Sequence, residues 1–63
     1  MDIKTKFAIF QSWEKEVASL GSLLEMSEEQ STREYELSLR IEFMRNDPDA
    51  EIYTAVAWAK ANR

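Results

Sequence analysis

The fold depends on how the chain is interpreted between residues 35 and 44: Tyr35-Glu36-Leu37-Ser38-Leu39-Arg40-Ile41-Glu42-Phe43-Met44. Apolar and polar residues alternate strictly from Tyr35 to Phe43, which is the pattern of a half-buried strand. Most of these residues favour helices, however, and Ile41 is the only β-branched one. A lone strand would also leave its backbone groups unpaired. We therefore expect a helix, with an α+β chain that has strands near 3–10 and 35–43 as the alternative.

As a helix, this stretch has apolar side chains on two nearly opposite sides. One side carries Tyr35, Leu39 and Phe43, and the other carries Leu37, Ile41 and Met44. Two short neighbouring helices can cover one side well and the other poorly. A second copy of the chain is the simplest cover for the other side, which predicts a homodimer. We favour Tyr35, Leu39 and Phe43 as the dimer interface because the Tyr35 hydroxyl can stay in water at its rim.

Capping signals on either side of this stretch set the helix boundaries. Ser27-Glu28-Glu29-Gln30 matches a capping box, which predicts a helix over 28–46. In Asn46-Asp47-Pro48-Asp49, we expect Asp47 to be the N-cap and Pro48 the first residue of a third helix over 48–62.

The first helix is predicted over 3–24, with Asp2 as its N-cap, because apolar residues recur at intervals of three and four; an end or bend at Gly21-Ser22 is the alternative. This stripe consists of Ile3, Phe7, Phe10, Trp13, Val17, Leu20 and Leu24. The expected inward face of the third helix consists of Ile52, Ala55, Val56 and Ala59. Two i,i+4 ion pairs are expected on the second helix: Glu29 with Arg33 and Glu36 with Arg40.

The length of 63 residues allows a single small helical domain, which we place over residues 1–63. For so short a chain, the free energy gained by burying apolar surface nearly cancels the conformational entropy lost on folding. The sequence has no Cys, so no disulfide stabilises it. Chain length and the two apolar sides of the second helix thus both predict an all-α homodimer.

Composition excludes several kinds of catalytic site. The chain has no His and no Cys, which removes catalytic triads, thiolate nucleophiles and zinc–thiolate sites. Its single glycine, Gly21, cannot form a P-loop or a dinucleotide fingerprint. Asp47, Asp49 and Glu51 alternate like the start of a calcium loop, but Ile52 stands where that loop needs Gly. We therefore expect no enzymatic activity, no cofactor and no metal site.

The sequence contains no recognisable membrane span or signal peptide. Its longest apolar run covers residues 7–10, whereas a transmembrane helix needs about 20 apolar residues. A cytoplasmic location is expected, with no membrane partner.

The net charge of −4 lies almost entirely in the middle third of the chain. Residues 14–36 carry a charge of −5, and such an acidic field repels phosphate, which disfavours nucleic acid as a partner. We interpret this segment as a solvated surface, and the candidate contact residues for a protein partner are Glu25, Glu28 and Glu29. Two alternatives stay open: a nucleic-acid-binding module in which Arg40, Arg45, Lys60 and Arg63 touch phosphates, or a DNA-mimicking inhibitor in which residues 25–36 imitate a phosphate backbone.

The chain as a whole, from Lys4-Thr5-Lys6-Phe7-Ala8-Ile9-Phe10-Gln11-Ser12-Trp13 through Asn46-Asp47-Pro48-Asp49, resembles a family of phage proteins. These are the small proteins encoded between the exonuclease and excisionase genes of lambdoid phages, and the likeness covers essentially the full length. The resemblance implies a helical, self-associating early protein that influences the choice between lysis and lysogeny. We expect this chain to act through protein–protein interaction, as a regulatory or accessory protein that binds a host or phage protein. It supplies no pattern of site residues, so none is assigned from it.

Overall fold

Three α-helices follow one another along residues 2–63, the part of the chain that this computed structural model describes. The helices are α1 (Ile3–Gly21), α2 (Glu28–Asn46) and α3 (Ile52–Asn62). The all-α prediction is confirmed, and the alternative with strands near 3–10 and 35–43 is wrong, since both stretches are helical in the described residues. Helix propensity prevails over strict alternation here because a helix pairs its backbone groups within itself, whereas a lone strand cannot.

The start of α1 is as predicted, but its end is not. The Asp2 carboxylate accepts a hydrogen bond from the Thr5 amide at 2.7 Å, which caps the helix. The predicted end at residue 24 is wrong, because α1 stops at Gly21. Ser22 closes the helix by donating its amide and its hydroxyl to the Ser19 carbonyl. Glycine and serine are poor helix formers, and the serine hydroxyl competes for backbone groups, so the helix ends there.

The capping box at the start of α2 forms as the sequence predicted. The Gln30 amide donates to Ser27 Oγ at 3.1 Å, and the Ser27 amide donates to Gln30 Oε1 at 2.9 Å. Two backbone amides that the helix cannot satisfy thereby gain partners.

The boundary between α2 and α3 differs from the prediction. Asp47 ends α2, since its amide donates to the Phe43 carbonyl at 3.0 Å, and it does not cap α3. The Ala50 amide then donates to the Asp47 carbonyl at 3.0 Å, which places Pro48 in a turn and outside any helix. α3 consequently begins at Ile52, four residues later than predicted. The proline fits this turn because its ring fixes a φ that turns and helix starts share.

α2 is the central helix. It packs against both α1 and α3, whereas α1 and α3 scarcely touch each other. Leu37, Ile41 and Met44 form the buried side of α2, and Leu37 is completely enclosed. Trp13 from α1 and three residues of α3, namely Ile52, Ala55 and Ala59, are also buried. The structure therefore assigns one apolar side of α2 to the core of the single chain.

Candidate interaction surfaces

The second apolar side of α2 is only partly covered. The side chain of Tyr35 is 53% exposed, and Leu39 and Phe43 are half-buried. The ring of Phe43 lies 5.4 Å from that of Trp58 on α3, in a tilted arrangement. The three residues predicted to form a dimer interface thus line one side of α2, with Tyr35 the most exposed of them.

An apolar groove of about 270 Å³ lies between the start of α1, the end of α2 and the turn that follows it. We call it the α1 groove; its lining residues are Ile3, Lys6, Phe7, Phe10, Met44, Arg45 and Pro48. The sequence placed Ile3 and Phe7 on the apolar stripe of the first helix, and they are 82% and 59% exposed. They stay exposed because α3 packs on α2 and leaves the start of α1 without a third helix over it.

The loop between α1 and α2 carries a second set of exposed apolar side chains. Leu23 and Met26 are exposed, and Leu24, expected in the first helix, is fully exposed instead. Glu25 lies among them and is exposed as well. This loop combines apolar contact area with the acidic charge that the sequence predicted here.

Glu28 and Glu29 stand in the first turn of α2, where the positive end of the helix dipole favours carboxylates. Both are exposed, and they border a shallow depression that is also lined by Thr32, Arg33, Glu36 and Arg63. Glu25 precedes them in the loop and is not part of this depression.

Ion pairs join α1 to α2. Arg33 donates to Glu16 through Nε at 2.7 Å and Nη2 at 3.3 Å, so the expected partner Glu29 is wrong. The hydrogen bond from Arg33 lowers the pKa of the Glu16 carboxyl, and in return Glu16 raises the pKa of Arg33. Arg45 donates to Glu14 at 3.0 Å. Two of the three arginines of α2, Arg33 and Arg45, are therefore paired with carboxylates of α1.

One carboxylate, that of Glu36 in the middle of α2, is buried between Arg40 of the same helix and Arg63 at the end of α3. It accepts a hydrogen bond from Arg40 at 3.4 Å, which confirms this predicted pair, and another from Arg63 at 3.2 Å. The Arg40 guanidinium also lies 5.4 Å from the centre of the Trp13 ring, a cation–π contact. Its Nε is buried without a hydrogen-bond partner among the described residues. Sequence patterns suggested the Glu36–Arg40 pair but gave no sign that it would be buried or joined by Arg63.

The basic residues considered for phosphate contact do not form one patch. Arg40 is enclosed beside Trp13, and Arg45 and Arg63 are bonded to Glu14 and Glu36. Lys60 is exposed on α3. Within residues 2–63, no three His, Cys, Asp or Glu side chains are grouped so that they could hold a metal ion.

In the described part of the chain, no helix has both the length and the apolar character needed to cross a membrane. Comparison of the chain with models of protein families, with curated proteins and with solved structures finds no match.

Proposed function

We propose that this chain is a non-enzymatic protein-interaction module that works as a homodimer and binds a second protein. The observation that carries the proposal is the amount of large apolar side chain left in water. Among the described residues, the large apolar side chains left exposed are Ile3, Phe7, Leu23, Leu24, Met26, Tyr35 and Tyr53. Monomeric proteins seldom leave several large apolar side chains in contiguous exposed patches without a partner.

The outward side of α2, formed by Tyr35, Leu39 and Phe43, is the proposed dimer interface. The opposite side of the helix is already used in the core of the single chain. A two-fold axis beside α2 would place the same three residues of a second copy against them, which is the self-complementary arrangement that two-fold dimers need. Tyrosine suits such an interface because its ring gains contact area while its hydroxyl stays in water.

A binding role fits the chemistry of the charged groups better than a catalytic one. The buried carboxylate, Glu36, is held by two arginines, and Glu14 and Glu16 are held by Arg45 and Arg33. Groups committed in this way are structural. The same pairs weigh against a nucleic-acid-binding module, because arginines bonded to carboxylates must break those bonds to contact phosphate.

The resemblance to the lambdoid phage proteins supports a regulatory or accessory role, in which the second protein is a host or phage factor that acts in the choice between lysis and lysogeny. An affinity pull-down from infected cells, with the chain as bait, tests this part of the proposal. Recovery of duplex DNA that depends steeply on salt would instead favour the nucleic-acid alternative.

Sedimentation equilibrium tests the dimer. We expect the unmodified chain to sediment with the mass of two chains at micromolar concentration, and Tyr35→Glu to shift it to the mass of one chain while circular dichroism stays helical. Tyr53→Glu is the matched control, because Tyr53 is a tyrosine on α3 that is 73% exposed. A single-chain mass for the unmodified, folded protein at high micromolar concentration overturns the homodimer.

A further inference from the structure

We propose that the buried ion pair of Glu36 and Arg40 selects which apolar side of α2 faces the core. In the structure the buried side of the helix faces inward, and the outward side carries the partly exposed residues. Glu36 and Arg40 are positioning residues in this proposal, because they act by fixing the rotation of α2 about its own axis. The inference rests on the proposed function in one respect: the side kept outside is the proposed dimer interface.

The two sides of α2 offer similar apolar material. Each carries three large side chains at helical spacing: Leu37, Ile41 and Met44 on the buried side, and Tyr35, Leu39 and Phe43 on the outward side. Burial of apolar side chains of this size contributes similar free energies. Burial alone therefore does not choose between two rotations of α2 that differ by about half a turn.

The ion pairs that join α1 to α2 are weak selectors. Arg33 pairs with Glu16 and Arg45 with Glu14, and all four side chains are at least two-fifths exposed. Water screens pairs that are this exposed, so each contributes little to the preference for one rotation.

The pair of Glu36 and Arg40 differs because both of its side chains are nearly enclosed and each is held by an outer helix. The two residues lie between the apolar sides of α2, with only 10% and 11% of their side chains exposed. Arg40 lies 5.4 Å from the centre of the Trp13 ring of α1. Glu36 accepts a hydrogen bond from Arg63 of α3 at 3.2 Å. A rotation of α2 by about half a turn would remove both contacts and leave the two charges without these partners.

The geometry of the pair is poor for stability, which favours a selecting role. Arg40 and Glu36 share a single hydrogen bond of 3.4 Å, longer than charge-assisted bonds usually are. The Nε of Arg40 is also buried without a hydrogen-bond partner among the described residues. Removal of these charges from water costs free energy that so long a contact recovers poorly. In some proteins, buried ionic groups of this kind fix one packing arrangement.

Replacement of both residues by apolar ones removes the selector without leaving a buried charge of the pair. Glu36→Leu combined with Arg40→Met is expected to stay helical by circular dichroism, because packed apolar side chains can replace a buried ion pair. We expect α2 to adopt both rotations in this double variant, so that its amide signals in nuclear magnetic resonance are doubled or broadened by exchange. The matched control is Glu29→Leu combined with Arg33→Met, the same changes at two exposed positions of α2. This control is expected to keep one set of signals.

Nuclear Overhauser contacts from the Trp13 ring identify the rotation directly. Trp13 is buried in the same cluster as Leu37, and Leu39 does not belong to that cluster. We expect the double variant to gain a contact from Trp13 to Leu39, while the contact to Leu37 falls about twofold, as for two similarly populated rotations. The Trp13 ring is enclosed within one chain, so these contacts report on α2 whether or not the chain dimerises.

Two outcomes of the double variant overturn the proposal. A single set of signals with the Trp13–Leu37 contact unchanged shows that the pair does not select the rotation. Loss of helical structure shows that the pair is needed for stability instead. A third outcome comes from Tyr35→Phe, which removes the one hydroxyl on the outward side and is expected to leave a single rotation. If Tyr35→Phe alone produces the Trp13–Leu39 contact, the hydroxyl is the selector and the proposal is wrong.

Sedimentation equilibrium of the unmodified chain separates this inference from the proposed dimer. If that chain has the mass of one chain and the double variant shows both rotations, the dimer fails and the selection by Glu36 and Arg40 stands. If the unmodified chain has the mass of two chains and the double variant keeps a single rotation, the dimer stands and the selection is wrong.

Discussion

Arg33 on α2 donates two hydrogen bonds to the Glu16 carboxylate on α1, from two of its guanidinium nitrogens at 2.7 and 3.3 Å. Both side chains are about two-fifths exposed, so water screens the pair and its contribution to stability is modest. The contact nevertheless fixes the register of α1 on α2 close to the point where α1 ends.

Replacement of Glu16 by Gln is expected to lower the free energy of unfolding by about 0.5 kcal/mol at neutral pH. The pKa of Glu16 is lowered in the folded chain, so its contribution is present above the pKa of the unfolded state, about 4.3, and is lost as the pH falls through the lower folded value. Urea unfolding near pH 7 and near pH 3 checks this. A difference between variant and parent that persists at acid pH contradicts the assignment.

Removal of the buried Glu36 carboxylate is expected to lower the free energy of unfolding far more than removal of the Glu16 carboxylate. Glu36→Ala leaves Arg40 enclosed without its partner and is expected to cost about 3–5 kcal/mol, enough to unfold so small a domain. Glu42→Ala is the control, because Glu42 is an exposed glutamate of the same helix. Thermal unfolding followed by circular dichroism distinguishes them, and equal melting temperatures would rule out the structural role of Glu36.

Two caps provide a matched comparison. Ser27→Ala removes the capping-box hydroxyl and is expected to destabilise the chain by about 1 kcal/mol. Asp47→Ala is expected to change stability by less than about 0.5 kcal/mol, because the structure gives the Asp47 side chain no hydrogen bond among the described residues. A larger effect at Asp47 than at Ser27 in urea unfolding would support the predicted third helix over 48–62.

The end of α1 is tested at two leucines. Leu24 lies beyond the helix and is fully exposed, so Leu24→Ala is expected to change stability by no more than about 0.5 kcal/mol. Leu37 is completely buried, and Leu37→Ala is expected to cost about 2–5 kcal/mol. Chemical unfolding measures both, and a loss at Leu24 comparable to that at Leu37 would place Leu24 in the core.

Local signals predicted the helices well and their boundaries unevenly. The caps at Asp2 and Ser27 depend on side chains within three residues of the backbone they bond, so the sequence displays them directly. Proline is equally suited to a turn and to the first position of a helix, so the sequence around Pro48 does not distinguish them. The structure does, because the Ala50 amide donates to the Asp47 carbonyl and closes a turn.

The candidate interaction surfaces were harder to predict because they depend on which helices meet. The spacing of Ile3 and Phe7 matches that of Phe10 and Trp13 on the same stripe, and they stay exposed because α3 packs on α2 and scarcely touches α1. One sequence signal was available: the stripe extends over 22 residues, whereas the third helix was predicted over only 15, residues 48–62. The ion-pair partner of Arg33 could not be predicted correctly either. Glu16 is distant from Arg33 in sequence, whereas Glu29 lies one helical turn before Arg33 and was the nearer candidate.

The position of α2 between two helices that scarcely meet also governs how the molecule comes apart. Each outer helix keeps most of its contacts with α2 alone, so local opening of one outer helix is expected to need less free energy than unfolding of the whole chain. Each outer helix carries one of the two tryptophans, Trp13 on α1 and Trp58 on α3. The chain thus contains a separate fluorescent reporter for each detachment, and a form with one helix released uncovers part of the apolar side of α2.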